Sequence, residues 1–255
     1  MTSRHPSVSF YSAPKAAHSD LEYEDAACLV SDYESGGELS RYAVADGATE
    51  SSFAGHWARA LVMAYCSGLL PEEITNGALN ALQQSWTEAV SGMSLAWFAE
   101  EKAQHGAFAT LCGLTMRADG SWQAHAIGDS CLFQLRDGEI ICSFPLENAA
   151  QFGNSPEMLC SLAGKNSEAK MLGTSGGWHS GDIFILMTDA LACLFLGQME
   201  SGRPVADFLA RIHSQESFLE YIESCRNLGD DSEHTRQHTQ TRLKNDDVTL
   251  LVIRV

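Results

Sequence analysis

Basic residues are scarce in this chain. Sixteen Lys and Arg stand against 33 Asp and Glu over 255 residues, a formal charge of -17. A surface of that sign repels phosphate backbones and anionic lipid, so neither nucleic acid nor membrane is an expected partner. A phosphorylated substrate remains compatible, because bound cations invert the sign locally. No apolar run has the length that spans a bilayer, and the opening stretch MTSRHPSVSFYSAPK has no apolar signal core, so the expected location is cytoplasmic. The eight cysteines form no C-x-x-C pair. Cys28, Cys66, Cys112, Cys131 and Cys193 sit in apolar stretches, so buried reduced thiols are expected rather than disulfides or a zinc site. Internal repeats, low-complexity tracts and long Pro/Gly linkers are missing too. Residues 1–255 therefore read as one domain, with 1–19 a loosely packed leading segment.

What is present suits a large core: 45% of residues are hydrophobic and only 19% charged, which argues against wholesale disorder. Residues 27–32 and 40–46 read as strands around a Ser-Gly-Gly turn. Trp57, Leu61, Ala64 and Tyr65 recur at helical spacing within 53–68, and Pro71 opens a second helical stretch that runs to about Lys102. A meander follows at 108–117, 121–129, 130–138 and 139–144, punctuated by Asp-Gly pairs. Residues 146–181 are turn-rich, and LGTSGGWHSG (172–181) reads as a turn. A nearly continuous apolar strand fills 181–189, followed by helical patterns at 190–197, 204–213 and 216–227. The polar insert 229–244 reads as an exposed loop, and 247–255 as a buried last strand. Two antiparallel sheets packed face to face, with helices outside, satisfy this order: an α+β fold.

Four aspartates close or open apolar runs: Asp25, Asp46, Asp189 and Asp246. Carboxylates held together against a core cost free energy unless something neutralises them, so the repeated pattern points to a shared divalent cation. Each has an ordinary explanation alone. Asp46-Gly47 reads as a turn, Asp189 as a helix N-cap, Asp246-Asp247 as a polar turn, and Gly128-Asp129-Ser130 as a hairpin. Together and in order they carry more weight.

The ordered set resembles the metal-dependent serine/threonine phosphatases of the protein phosphatase 2C family, in a bacterial-type variant. The matching blocks are Glu24-Asp25, Val44-Ala45-Asp46-Gly47, Gly106-Ala107-Phe108-Ala109-Thr110, Gly128-Asp129-Ser130, Thr188-Asp189-Ala190 and Asp246-Asp247-Val248-Thr249, spanning about residues 20–255. The resemblance implies a four-layer α/β/β/α sandwich and hydrolysis of phosphoserine or phosphothreonine by water activated between two cations. It makes Asp46 the bridge between the cations, helped by the Gly47 carbonyl. Asp25 then serves one side, with Glu24 a lesser candidate, and Asp189 and Asp246 serve the other. Asp129, with Asp189, implies a third, weaker cation site. In catalysis the roles fall to Asp46, Asp189 and Asp246. All-oxygen ligation suits magnesium or manganese, not zinc. The implied partners are a phosphorylated protein and a cognate serine/threonine kinase.

Two departures bear on substrate binding. Asp20 stands where family members commonly place a phosphate-gripping Arg, leaving His18 the nearest basic side chain. Ala48 stands where the eukaryotic branch has a histidine, for which His56 is a substitute. His18 and His56 are therefore the substrate-phosphate candidates. The segment between Asp129 and Asp189 is short for the family, which implies a reduced substrate flap. The alternatives are a weak or inactive phosphatase-fold regulator that binds a partner protein and a hydrolase of small phosphate esters.

Overall fold

Runs rich in branched and aromatic residues become strands, and helix-periodic stretches become helices. A computed structural model describes residues 6–31, 39–49, 51, 53–70, 76–93, 103–153, 155–166, 169–227 and 242–255. The chain begins with β1 (Ser7–Ala13), β2 (Ala26–Ser31), β3 (Leu39–Ala45), α1 (Ala54–Cys66) and α2 (Asn76–Ser91). A meander follows: β4 (Phe108–Ala109), β5 (Leu111–Arg117), β6 (Ser121–Ile127), β7 (Cys131–Arg136) and β8 (Glu139–Phe144). Next come β9 (Leu159–Cys160), β10 (Leu172–Gly177) and β11 (Ile183–Met187). The chain ends with α3 (Asp189–Glu200), α4 (Val205–Arg211), α5 (Gln215–Asn227) and β12 (Val248–Arg254). Two five-stranded sheets result, ordered β1-β12-β11-β7-β8 and β10-β6-β5-β3-β2, beside a small β4-β9 ladder.

Strand side chains alternate between two buried environments, which generates the layers. On β3, Tyr42 and Val44 enter the core between the sheets with Leu114, Trp122, Phe184 and Leu251. Its neighbours Ala43 and Ala45 instead face Trp57, Leu61 and Tyr65 of α1. On β12, Leu251 and Ile253 join the inter-sheet core, while Val248, Leu250 and Val252 meet the helices through Leu191, Phe195, Phe208 and Phe218. Helix, sheet, sheet, helix is the outcome, as the α+β sandwich reading requires. All eight cysteines are unpaired thiols, five of them buried. Among the described residues no helix is long and apolar enough to cross a membrane.

Two local readings change. The expectation of a loosely packed 1–19 does not hold over residues 7–13, because β1 pairs along its whole length with β12, from Ser7 opposite Arg254 to Ala13 opposite Val248. Tyr11 and Ala13 are buried, and the Tyr11 ring stacks on Phe218 at 5.7 Å. Serines at 7, 9 and 12 mask that alternation in the sequence. The turn expected at 172–181 is in part a strand, since Leu172–Gly177 pairs with β6. A Cβ at Gly176 would come within 2.8 Å of the Trp122 indole, so glycine there makes room for a ring. The Ser-Gly-Gly turn, the helix start at Pro71, the stretch 94–102 and residues 229–241 of the polar insert lie outside the described residues.

Candidate active site

Strand register carries five aspartates to one end of the sandwich. Ala26 at the start of β2 pairs with Ala45 at the end of β3, so Asp25 and Asp46 flank the same edge of their sheet. In the other sheet Met187, the last residue of β11, pairs with Cys131 at the start of β7 and with Leu250 of β12. Asp129, Asp189 and Asp246 therefore leave that sheet on one side. Asp46, Asp189 and Asp246 line a cleft of about 270 Å³ together with Gly47, Thr49, Thr110 and Lys244. Asp25 and Asp129 are buried beside these, 2% and 5% exposed.

Asp25 and Asp46 are held by separate devices. Thr188 and Thr249 clasp one another: the Thr249 amide donates to Thr188 Oγ1 at 2.9 Å, and the Thr188 amide to the Thr249 carbonyl at 3.3 Å. Both hydroxyls then donate to Asp25 Oδ2 at 2.9 Å. The Tyr23 hydroxyl closes on Thr249 Oγ1 from outside. Asp25 Oδ1 is left buried and without a partner, as is Asp129 Oδ1. Asp46 is fixed through its backbone. Its N–H donates to Thr110 Oγ1 at 3.1 Å, its carbonyl accepts from the Thr110 amide at 2.9 Å, and Thr110 Oγ1 lies 2.8 Å from Ser130 Oγ. That interaction explains why the run at 108–117 breaks at Thr110 into β4 and β5.

Gly47 is required by packing, whatever its carbonyl does. A Cβ there would approach the Glu24 carbonyl to 2.6 Å and the Ala54 backbone to 2.9 Å. Gly47→Ala is expected to cost about 1–3 kcal/mol by overpacking. For a chain this long, that lowers the melting temperature by roughly 2–12 °C. Thermal melting followed by circular dichroism measures this, and an unchanged transition contradicts the close approach.

The Asp246-Asp247 pair divides its work. Asp247 is buried and accepts from the Lys15 amide at 2.8 Å and the Glu24 amide at 2.7 Å. It is spent on joining chain segments, which leaves Asp246 as the carboxylate in the cleft. Arg226 of α5 supports the turn, donating Nη2 to the Asp246 carbonyl at 2.7 Å and Nη1 to the Pro14 carbonyl at 3.0 Å.

The cluster is electrostatically uncomfortable. Burial raises the Asp25 carboxyl well above its ordinary range; the Thr249 and Thr188 hydroxyls oppose the rise, and the charges of Asp247 and Asp189 add to it. Burial likewise raises Asp46, reinforced by the charges of Asp25, Asp189 and Asp246 and by a hydrogen bond with the Asp189 side chain. Burial, then the Asp189 charge, pushes Asp129 up to about 7. Against these stands Lys244, whose Nζ lies 3.3 Å from Asp246 Oδ2 and 3.5 Å from Asp189 Oδ2.

Among the described residues no three His, Cys, Asp or Glu side chains converge as a ready-made metal cage. The donor set nonetheless fits a hard divalent cation: it is all oxygen, it is mutually repulsive, and two of its buried oxygens lack any partner. Asp25, Asp46, Asp129, Asp189 and Asp246 are the residues that could hold such ions.

The histidines fall elsewhere. His18 and His56 are exposed and line an adjoining groove of about 570 Å³ with Lys15, Glu24, Thr49 and Arg59, not the cleft of Asp46, Asp189 and Asp246. His18 sits 3.6 Å from Glu22, four residues on, which explains its position without a ligand. Thr49 lines both spaces. Behind it Lys15 is buried, with Nζ 3.0 Å from Thr49 Oγ1 and 3.5 Å from Glu24 Oε2. Sequence reasoning missed Lys15, Arg226, Lys244 and the structural task of Asp247. A signal existed only for Lys244, a lysine two residues before a strand-edge aspartate in a chain poor in cations.

A two-sheet sandwich with a carboxylate-lined cleft at one end is a fold that solved phosphatases share. The chain belongs to the protein phosphatase 2C family, matched over residues 14–233. No curated protein sequence matches it. Among solved structures it is similar to the photosystem II phosphatase PBCP, at 17% identity and a TM-score of 0.58, over 98% of this chain and 99% of that one. The catalytic domain of the serine/threonine protein phosphatase PstP, in complex with two manganese ions, is similar at 16% identity and a TM-score of 0.55, over 98% and 97%. A bacterial serine phosphatase is similar at 12% identity and a TM-score of 0.59, over 98% and 97%. At these identities the likeness is one of fold.

Proposed function

We propose that the protein removes phosphate from phosphoserine or phosphothreonine in protein substrates, using two magnesium or manganese ions. The observation that carries this reading is the meeting of Asp46, Asp189 and Asp246 in one cleft, beside the unpartnered buried oxygens of Asp25 and Asp129. When bound, such ions supply Lewis-acid charge to a phosphoryl group and make water a stronger nucleophile. The protein's own part is to hold the donors. Thr110 fixes Asp46, the Thr188–Thr249 clasp aims Asp25, and Arg226 supports the Asp246 turn. Asp129, near Asp189, is the residue for a third, weaker cation. Gly153, Pro156 and Met158 contribute further wall to the cleft. In this reading His18 and His56 meet flanking parts of the substrate in the neighbouring groove, and the substrate is the product of a serine/threonine kinase.

Purified protein is expected to hydrolyse a phosphothreonine peptide with manganese or magnesium present and to stop when a chelator is in excess. Release of inorganic phosphate is the measurement. Turnover that persists in chelator overturns the metal mechanism. A folded protein that binds no divalent cation would instead fit a non-catalytic regulator.

A further inference from the structure

Lys244 is the one cationic side chain lining the Asp46–Asp189–Asp246 cleft among the described residues. Its ammonium lies between two carboxylates, 3.3 Å from Asp246 and 3.5 Å from Asp189. The neighbouring cations are committed elsewhere. Lys15 is paired with Glu24 and Thr49, and Arg226 donates to the Pro14 and Asp246 carbonyls. We propose that Lys244 is a tethered, displaceable cation that takes the position between Asp189 and Asp246 until a divalent ion displaces it, and so sets how tightly that ion is held. The inference rests on the reading above, that these carboxylates are metal ligands.

Three physical points support it. The ammonium sits on Asp189 Oδ2 and Asp246 Oδ2, and the reading above gives these two carboxylates to the metal, so metal and lysine would compete for them. Leaving is easy, because the Lys244 side chain is 63% exposed while its partners are 13% and 23% exposed. The charge can swing into water without being desolvated elsewhere, which a buried lysine could not do. Finally, Lys244 is two residues from Asp246, so it competes at a fixed local concentration that dilution does not change. A singly charged group answers poorly to two carboxylates that also feel Asp46, and a divalent ion answers better. The exchange is thus graded by the concentration of free metal rather than blocked.

The test is a calorimetric manganese titration of the full chain at low ionic strength, comparing wild type with Lys244→Met and Lys244→Arg. Two ion pairs made by an exposed lysine predict that Lys244→Met binds manganese about three- to tenfold tighter. Lys244→Arg, which keeps a cation on a similar stem, should stay close to wild type. The melting temperature of metal-free Lys244→Met should fall, because Asp189 and Asp246 lose the one ammonium that pairs with both. An equal or weaker manganese affinity in Lys244→Met overturns the inference even if that melting temperature falls, since lysine would then be mere support. If wild type binds manganese and the variant matches it, only the role of Lys244 falls. If neither protein binds manganese, the metal reading falls and takes this inference with it.

Discussion

Asp46→Asn is expected to abolish divalent-dependent phosphate release and to raise the melting temperature of the metal-free protein. The two effects have one cause. Asp46 carries a carboxylate that burial and the charges of Asp25, Asp189 and Asp246 all disfavour, so its presence destabilises the fold unless a cation answers it. Asparagine keeps the shape and can donate to Asp189, and its backbone clamp to Thr110 is untouched. Losing the carboxylate that the reading makes the bridge between the ions forfeits several kcal/mol of transition-state charge stabilisation, or a rate loss on the order of 10³-fold. Removing one crowded charge is worth roughly 1 kcal/mol, a rise of about 2–4 °C for a chain of this size. Steady-state kinetics with manganese and a melt in chelator check both halves. A variant that loses activity and also melts lower would make Asp46 a structural residue.

The metal-free protein is expected to lose stability as pH rises, and manganese to restore it. For Asp129 the folded value is about 7 against an ordinary 3.8, and Asp25 and Asp46 are raised well above theirs. Across that interval the folded chain keeps protons that the unfolded chain has released. Folding is then weakened as pH climbs from about 4 through 7, the reverse of what a salt-bridged carboxylate does. Divalent ions displace those protons, so their stabilisation grows with pH. At a free concentration a hundredfold above the dissociation constant it reaches about 2.7 kcal/mol, or roughly 5–11 °C. Calorimetric melts at pH 5 and pH 8, in chelator and in manganese, measure the four corners. The overall charge of -17 adds self-repulsion at the higher pH. Asp46→Asn separates the two contributions, because it removes one cluster carboxyl and leaves most of the net charge. A melting temperature that climbs from pH 5 to pH 8 in chelator would contradict the buried-carboxylate account.

Legibility from sequence followed the range of the interactions. Tyr42, Val44, Leu251 and Ile253 announce strands through their period of two, and Trp57, Leu61 and Tyr65 announce a helix, because those periods are local backbone geometry. The short edge strands were harder to read. β1 hides behind serines and becomes a strand only because β12 offers it a partner. β10 reads as a turn until Trp122 is seen to occupy the space above Gly176. His18, singled out as the nearest basic side chain, and His56, as a substitute for a family histidine, line a groove beside the carboxylate cleft rather than the cleft itself, which no spacing argument could show.

The sequence by itself determined which oxygen-bearing side chains end the strands and in what order, because motif order and alternation are properties of short segments. From these come the sandwich, the family and the five aspartates. Only the tertiary structure decided what each neighbour does. Asp247 is claimed by the Lys15 and Glu24 amides more than 220 residues away, Asp25 is aimed by hydroxyls from β12 and from the end of β11, and Lys244 is set between Asp189 and Asp246. Those assignments depend on which buried groups find partners across distant segments, and on which oxygens are left with none.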